Sequence, residues 1–299
     1  MIDIGGTTIK FAVWDGQDLA GHTSRKTPAT LAEFYDVLTE EVLKMKNQFH
    51  IEGVGISSPG AVNKKTGVIE GASALPYIHN FKIQPELEKR FGLNISMEND
   101  ANCAALAELA DGAGQGADSL LFLVIGTGVG GSVIINHKIW HGAHLFGGEF
   151  GFTLSDDTYT LSELGTSVRV AKRYNKKTGL EKSGKEVFDL AKAGDETAKA
   201  EVNKMYWALA KGIYNLQYSF DPEKIVIGGA VSNNPDLIPN IEKNIEKIRK
   251  QVKIASLKPD VVSCKYTDQA NLRGAVVDFE QTYGSVSYTH LTLPTICSV

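Results

Sequence analysis

Ile2-Asp3-Ile4-Gly5-Gly6-Thr7, at the start of the chain, and Val124-Ile125-Gly126-Thr127-Gly128, in its middle, share one pattern: an apolar strand end, then glycine and threonine. A second apolar stretch follows each, over 9–14 and up to Ile135, so each reads as strand, tight turn, strand. A weak repeat at that distance predicts two related halves. Around the two copies, helical stripes alternate with short apolar runs, which places the chain in the α/β class.

The helical stripe over 30–47 carries Leu31, Phe34, Leu38, Val42 and Met45 inward, with Thr30 placed to cap it. A buried strand over 54–56 ends in the turn Ser57-Ser58-Pro59-Gly60, and a short helix covers 85–91. Helices are expected over 162–174 and 186–193. A long one over 195–220 turns Ala198, Val202, Met205, Leu209, Ile213 and Leu216 inward and stops at Pro222. Ile225-Val226-Ile227 is a strand running into Gly228-Gly229, and helices over 235–252 and 270–282 flank a strand over 261–266. The small, polar residues 112–118 read as a hinge. This divides the chain into a small α/β domain over 1–115, completed by a helix over 270–284, and a large α/β domain over 116–269. The first strand looks short at its N-terminal side, as if a start site lay a few residues upstream. Residues 285–299 hold no Asp, Glu, Lys or Arg. Val286 and Tyr288 alternate as a native strand would, but Ser287-Tyr288-Thr289-His290-Leu291-Thr292-Leu293-Pro294-Thr295 resembles translated adapter read-through. The tail is read as non-native and left out of the fold.

Composition narrows the function. Of 299 residues, 42% are apolar and 22% charged, and the net charge is −4 with the basic residues scattered. That excludes a nucleic-acid surface, and no apolar run is long enough to span a membrane. No targeting segment precedes the fold, and Cys103, Cys264 and Cys297 have no metal-type spacing, so a reducing cytoplasm is the expected home.

Gly126-x-Gly128-x-x-Gly131 matches the dinucleotide pattern, but that pattern needs a helix after its glycines. Here 132–135 is β-rich and Asn136-His137-Lys138 reads as a hairpin, so the nicotinamide reading fails. No Gly-x-x-x-x-Gly-Lys-Ser/Thr occurs either. What remains is a strand–turn–strand phosphate clamp, in which glycines let backbone N–H groups approach oxygens and Thr hydroxyls add donors. One such turn alone would be an ordinary hairpin; two matched ones favour a nucleotide. Asp3 would repel phosphate there unless a cation intervened, which argues for magnesium held through water; the alternative, a surface charge, fits poorly within Ile2-Asp3-Ile4. Finally, Glu98-Asn99-Asp100-Ala101-Asn102 lies between the apolar run 93–97 and the helical pattern Cys103, Ala104, Leu106, Ala107, Ala110. Asp100 therefore starts a helix, either as its cap or as an ionised carboxylate that takes a proton from a hydroxyl attacking the terminal phosphate.

Five motifs, Asp3-x-Gly5-Gly6-Thr7-x-x-Lys10, Glu98-Asn99-Asp100-Ala101-Asn102, Gly126-Thr127-Gly128-x-Gly130-Gly131, Gly148-Glu149-Phe150-Gly151 and Ile227-Gly228-Gly229, occur in the order found in the ROK sugar kinases. The resemblance covers residues 1–284. It implies the actin-like ATPase (ribonuclease H-like) fold, two domains around a cleft, and ATP-dependent phosphorylation of a hexose hydroxyl, at the 6-position of a hexose or β-glucoside. It makes Asp100 the general base, Asn99, Glu149, Glu163 and Gly60 sugar contacts, and Gly229 and Gly274 the adenine side. Asp3, Gly5, Gly6, Thr7, Thr8 and Lys10, with Gly126, Thr127, Gly128 and Gly130, form the rest of the ATP site. Without the resemblance, Glu163 would read as a surface acid. Where most of the family has a histidine the chain has Phe152, and residues 155–160 contain no cysteine, so no structural zinc is expected. His141 and His144, lacking cysteine partners, read as surface or cleft residues. In these respects the chain is similar to the bacterial β-glucoside kinases of the family. A glucokinase or N-acetylmannosamine kinase is the nearer alternative, with Phe152 then in the core, and a non-catalytic sugar sensor of the transcriptional-regulator type the more distant one. The expected partner is a small sugar and the expected assembly a homodimer.

Overall fold

A computed structural model of the chain describes residues 1–284; the tail whose origin the sequence puts in question lies outside them. In chain order the elements are β1 (Ile2–Ile4), β2 (Thr8–Trp14), β3 (Leu19–Lys26), α1 (Leu31–Gln48), β4 (Gly53–Ser58), β5 (Ala61–Asn63), β6 (Val68–Glu70), α2 (Ile83–Phe91), β7 (Asn94–Asn99) and α3 (Asp100–Asp111). They continue with β8 (Leu120–Ile125), β9 (Val129–Ile135), β10 (Lys138–Ile139), α4 (Leu161–Leu164), α5 (Ser167–Thr178), α6 (Gly184–Ala193), α7 (Glu196–Phe220), β11 (Lys224–Gly228), α8 (Leu237–Gln251), β12 (Val261–Ser263) and α9 (Ala270–Tyr283).

The internal repeat is a repeat of topology. One five-stranded sheet has the order β3-β2-β1-β4-β7, the other β10-β9-β8-β11-β12. In each, the first three strands form an antiparallel meander and the next two add in parallel beside the first. The β9–β10 connection is the predicted hairpin: Asn136 and His137 both take positive φ, 52° and 61°, as a two-residue turn demands.

Packing divides the chain into two units, Met1–Asp100 with the residues from Ala275 onward, and Ala101–Gly274. The core of the first is built on Ile2, Ile4, Ile9, Phe11, Ile56, Ile95 and Met97 of the sheet against Phe34, Leu38 and Val42 of α1 and Leu87 of α2. Thr30 caps α1 by accepting from the Glu33 N–H. The core of the second packs Leu121, Leu123, Ile225 and Ile227 against the face of α7 that carries Val202, Met205, Leu209 and Ile213.

The chain crosses between the units inside α3 and inside α9, whereas residues 112–118 lie within the second unit. The reason is Glu108, fully buried in α3, whose carboxylate accepts from Ala113 N, Lys265 N and Tyr266 N at 2.7–3.0 Å. Those bonds tie α3 to the glycine stretch and to the segment after β12. They also account for the shortness of β12: the N–H groups of Lys265 and Tyr266 go to a carboxylate and not to a neighbouring strand. Gly274 sits in α9 against α3, and a Cβ there would lie 1.7 Å from the Cys103 carbonyl oxygen. The single helix expected over 162–174 is two, α4 and α5. Thr160 and Glu163 open the first, Gly165 ends it, and the Thr166 side chain caps the second by accepting from Arg169 N.

β1 has three residues beside seven in β2 and six in β4. The Met1 amine donates to the Ala12 carbonyl at 2.6 Å.

Candidate active site

In the first unit, the site is built at the carboxyl ends of three parallel strands, where open α/β sheets place their ligands. Asp3 of β1 stands in register with Ser57 of β4, and Ser57 with Glu98 of β7. Asp3 is buried, and the Ser57 hydroxyl donates to its Oδ1 at 3.1 Å; it is not a surface charge. Gly5, Gly6, Thr7 and Thr8 form the turn into β2, where Lys10 pairs with Asp3. Gly5 N donates to Thr8 O at 3.1 Å, and Thr27 braces the turn from outside, with its hydroxyl on Gly5 O at 2.6 Å and its N–H on Thr7 O at 2.9 Å. Any Cβ on Gly5 would sit 2.7 Å from Thr8 O. Gly6 and Thr7 are left exposed.

β7 passes into α3 without an intervening turn, so Asp100 is the first residue of the helix and not its cap. Asn99 secures this junction. Its side-chain amide donates to Gly60 O and to Asp100 Oδ1, each at 3.0 Å, while its backbone N–H goes to Glu98 Oε1 at 2.8 Å. Gly60 can present its carbonyl because it adopts φ +98°, with the buried His79 ring where a Cβ would lie. Asp3, the first glycine turn, Gly60, Asn99 and Asp100 thus belong to one connected arrangement.

In the second unit, Gly126-Thr127-Gly128 is an exposed turn closed by Gly126 N to Gly128 O at 2.9 Å. The Gly148–Gly151 segment lies directly on β9: Cβ atoms on Gly148 and Gly151 would fall 2.5 Å from Gly131 O and 1.9 Å from Val129 O. Ser162 of α4 completes the contact, its Oγ accepting from Val129 N at 2.9 Å. Glycines at these positions bring the turn, Glu149 and the start of α4 together, with Gly130 inside β9 between them. Gly229 joins them from β11, held at φ +87° against the Ile125 carbonyl that precedes the turn. Gly274 lies in α9 against the Cys103 backbone, the packing described above.

Glu149 lies at the surface, yet the protein around it desolvates its carboxyl and raises the pKa. Glu163 is shifted the other way. Its Oε2 accepts from the N–H and hydroxyl of Thr160, at 2.9 and 3.1 Å, and Glu163 N returns a bond to Thr160 Oγ1, which lowers its pKa. This is a capping box, legible in Thr160-x-x-Glu163. Phe150 is core, whereas Phe152 is 70% exposed. Among the described residues, no three or more His, Cys, Asp or Glu side chains gather to hold a metal ion, His141 and His144 included.

Two topologically identical sheets, each opened by a glycine–threonine hairpin, define the actin-like ATPase fold. The chain belongs to the ROK family, whose family model matches residues 1–281. It is 33% identical over 292 residues to a β-glucoside kinase of Listeria innocua, covering 93% of this chain and 96% of that one. A ROK family protein from Streptococcus pneumoniae solved in complex with sucrose matches at 36% identity and a TM-score of 0.86, over 94% of this chain and 97% of that one. A ROK glucokinase of Streptomyces griseus solved with glucose and AMPPNP matches at 26% identity and a TM-score of 0.72, over 94% and 98%.

The capping box generates a prediction that needs no ligand. Glu163→Gln keeps an acceptor for Thr160 and should leave stability close to wild type, whereas Glu163→Ala, which leaves the Thr160 N–H without that acceptor, should lower it. Chemical denaturation decides; equal losses in both variants would mean that the charge, not the cap, matters.

Proposed function

We infer that the protein is an ATP-dependent sugar kinase, and we propose that it phosphorylates the 6-hydroxyl of the non-reducing glucose of a β-glucoside with Asp100 as general base. The observation that carries the base assignment is the Asn99 bridge, which aims a carboxylate from the first turn of α3 and couples it to the Gly60 turn. A carboxylate so held can accept the hydroxyl proton as the bond to phosphorus forms. We propose Asn99 and Gly60 as sugar contacts, together with Glu149, whose carboxylate can accept from sugar hydroxyls, and Glu163, which can do so without leaving its cap.

Phosphoryl transfer asks for positioning and charge neutralisation. The exposed N–H groups and hydroxyls of Gly6-Thr7 and Gly126-Thr127-Gly128 supply donors for phosphate oxygens. The single buried carboxylate of Asp3 suits a magnesium ion carried mainly by phosphate and water. Asp3, fixed by Ser57, would hold such an ion through water, and the ion would supply neutralisation of phosphate charge. Lys10, paired with Asp3 across the hairpin, and Gly229 extend the nucleotide contacts.

The substrate reading rests on Phe152. Its exposure sets aside the core alternative, and it follows Glu149 by three residues. An aromatic face offers no partner to a free anomeric hydroxyl, and burying one there would cost about 1–3 kcal/mol. The same face can hold the substituent that a β-glycoside carries in place of that hydroxyl.

Asp100→Asn should lower kcat by about 10²-fold or more while leaving sugar binding and melting nearly unchanged; turnover near the wild-type rate refutes the base assignment. A panel of cellobiose, glucose and N-acetylmannosamine with ATP and magnesium tests the acceptor, and cellobiose should give the highest kcat/KM. A monosaccharide preferred by about tenfold, or 1.4 kcal/mol of discrimination, rejects the glucoside while leaving the kinase in place. Because burial raises the Glu149 carboxyl above the usual range, sugar KM should climb as the pH falls and the carboxyl takes up a proton, and Glu149→Gln should flatten the profile.

A further inference from the structure

Behind the Asn99–Asp100 junction lies a buried charged cluster that no motif announces. Glu98, 1% exposed, uses Oε1 to hold the Asn99 N–H, and its Oε2 lies 3.8 Å from Lys64 Nζ. Lys64 Nζ also bonds Asp278 Oδ1 of α9 and reaches Thr282 Oγ1 at 3.5 Å. Asp278 is 3% exposed, with the buried Ser96 hydroxyl beside its carboxyl. Burial raises the Asp278 carboxyl, Lys64 opposes this and Glu98 adds to it. Two buried carboxyls therefore share one cation, and removing that cation leaves an uncompensated buried charge.

The placement of Lys64 gives this cluster a role in catalysis. Gly60 precedes β5 and Lys64 follows it, so the two ends of one short segment grip consecutive residues of β7: Lys64 the Glu98 carboxylate, Gly60 the Asn99 side chain. Asn99 then holds Asp100. We propose that Lys64 is a positioning residue for phosphoryl transfer, acting through Glu98 to set the backbone of Asn99 and hence the aim of Asp100, with Asp278 anchoring the lysine from α9. The proposal rests on the assignment of Asp100 as base.

Lys64→Met should lower kcat by about 10- to 100-fold, the scale of a misplaced reacting group, while sugar KM moves by less than about threefold. It should also lower the melting temperature, since two buried acids lose their cation. The double variant Lys64→Met with Asp278→Asn separates the two effects by removing one acid with the cation. It should recover most of the melting temperature and leave kcat low. If it recovers kcat together with stability, or if Lys64→Met alone keeps kcat within about twofold of wild type, the positioning role is overturned. Should the single variant not fold, the double variant decides. Asp100→Asn in the same assay keeps the two readings apart: a normal rate there sinks the base assignment, whereas a lost rate there with a normal rate in the lysine variants sinks only this proposal.

Discussion

The amide of Asn99 is the constraint on which the candidate residues of the first unit depend. A strand that becomes a helix in one step leaves no loop in which a carboxylate could wander, but it also leaves no slack for error. The bonds from Asn99 to Gly60 O and Asp100 Oδ1 fix the relation between two separate backbone segments with a single planar group. Such a group has one orientation that satisfies both acceptors, so the carboxylate is set before any substrate arrives. The left-handed backbone of Gly60 is part of the same device, because it turns a carbonyl toward Asn99.

In the second unit, the candidate residues are organised by close approach of backbones. Gly131 meets Gly148, and Val129 meets Gly151, at distances that exclude any side chain on the glycines. Main-chain packing is stiffer than side-chain packing, since it has no rotamers to adjust. The Glu149 segment is thereby seated on the strand that carries the exposed glycine–threonine turn. Its acid is crowded enough to have a raised pKa while remaining at the surface. Glu163 shows the opposite balance, with local donors from Thr160 that favour the ionised form. Two acids with one expected role therefore have different proton affinities.

Repetition of one topology places the parts. In a sheet with strand order 3-2-1-4-5, the hairpin between the first two strands and the carboxyl ends of the parallel strands fall at the same edge. Both sheets exploit this, one with Gly5–Thr8 and the other with Gly126–Gly128. In the first, β7 also ends there, with β4 between it and β1, so Asn99 and Asp100 lie one strand beyond Ser57, the partner of Asp3.

The sequence by itself determined whatever depends on near neighbours in the chain. Strand–turn–strand hairpins, the amphipathic helices α1 and α7, the start of α3 at Asp100 and the β-rich stretch that ruled out a dinucleotide loop are all written in local period and turn chemistry. The break between α4 and α5 was equally local, in Thr160-x-x-Glu163 and Gly165-Thr166, and a reading by apolar period alone passes over it because caps leave that period intact. Only the tertiary structure decided the rest. It paired Asp3 with Ser57, buried Glu108 where it captures the chain after β12, and gave Gly274 a packing role against Cys103. It also joined Lys64 to Asp278 across 214 residues of chain. Charges that meet at such separation leave no spacing to detect, because their partner is chosen by which strand ends and helices share an edge, and that choice belongs to the whole fold.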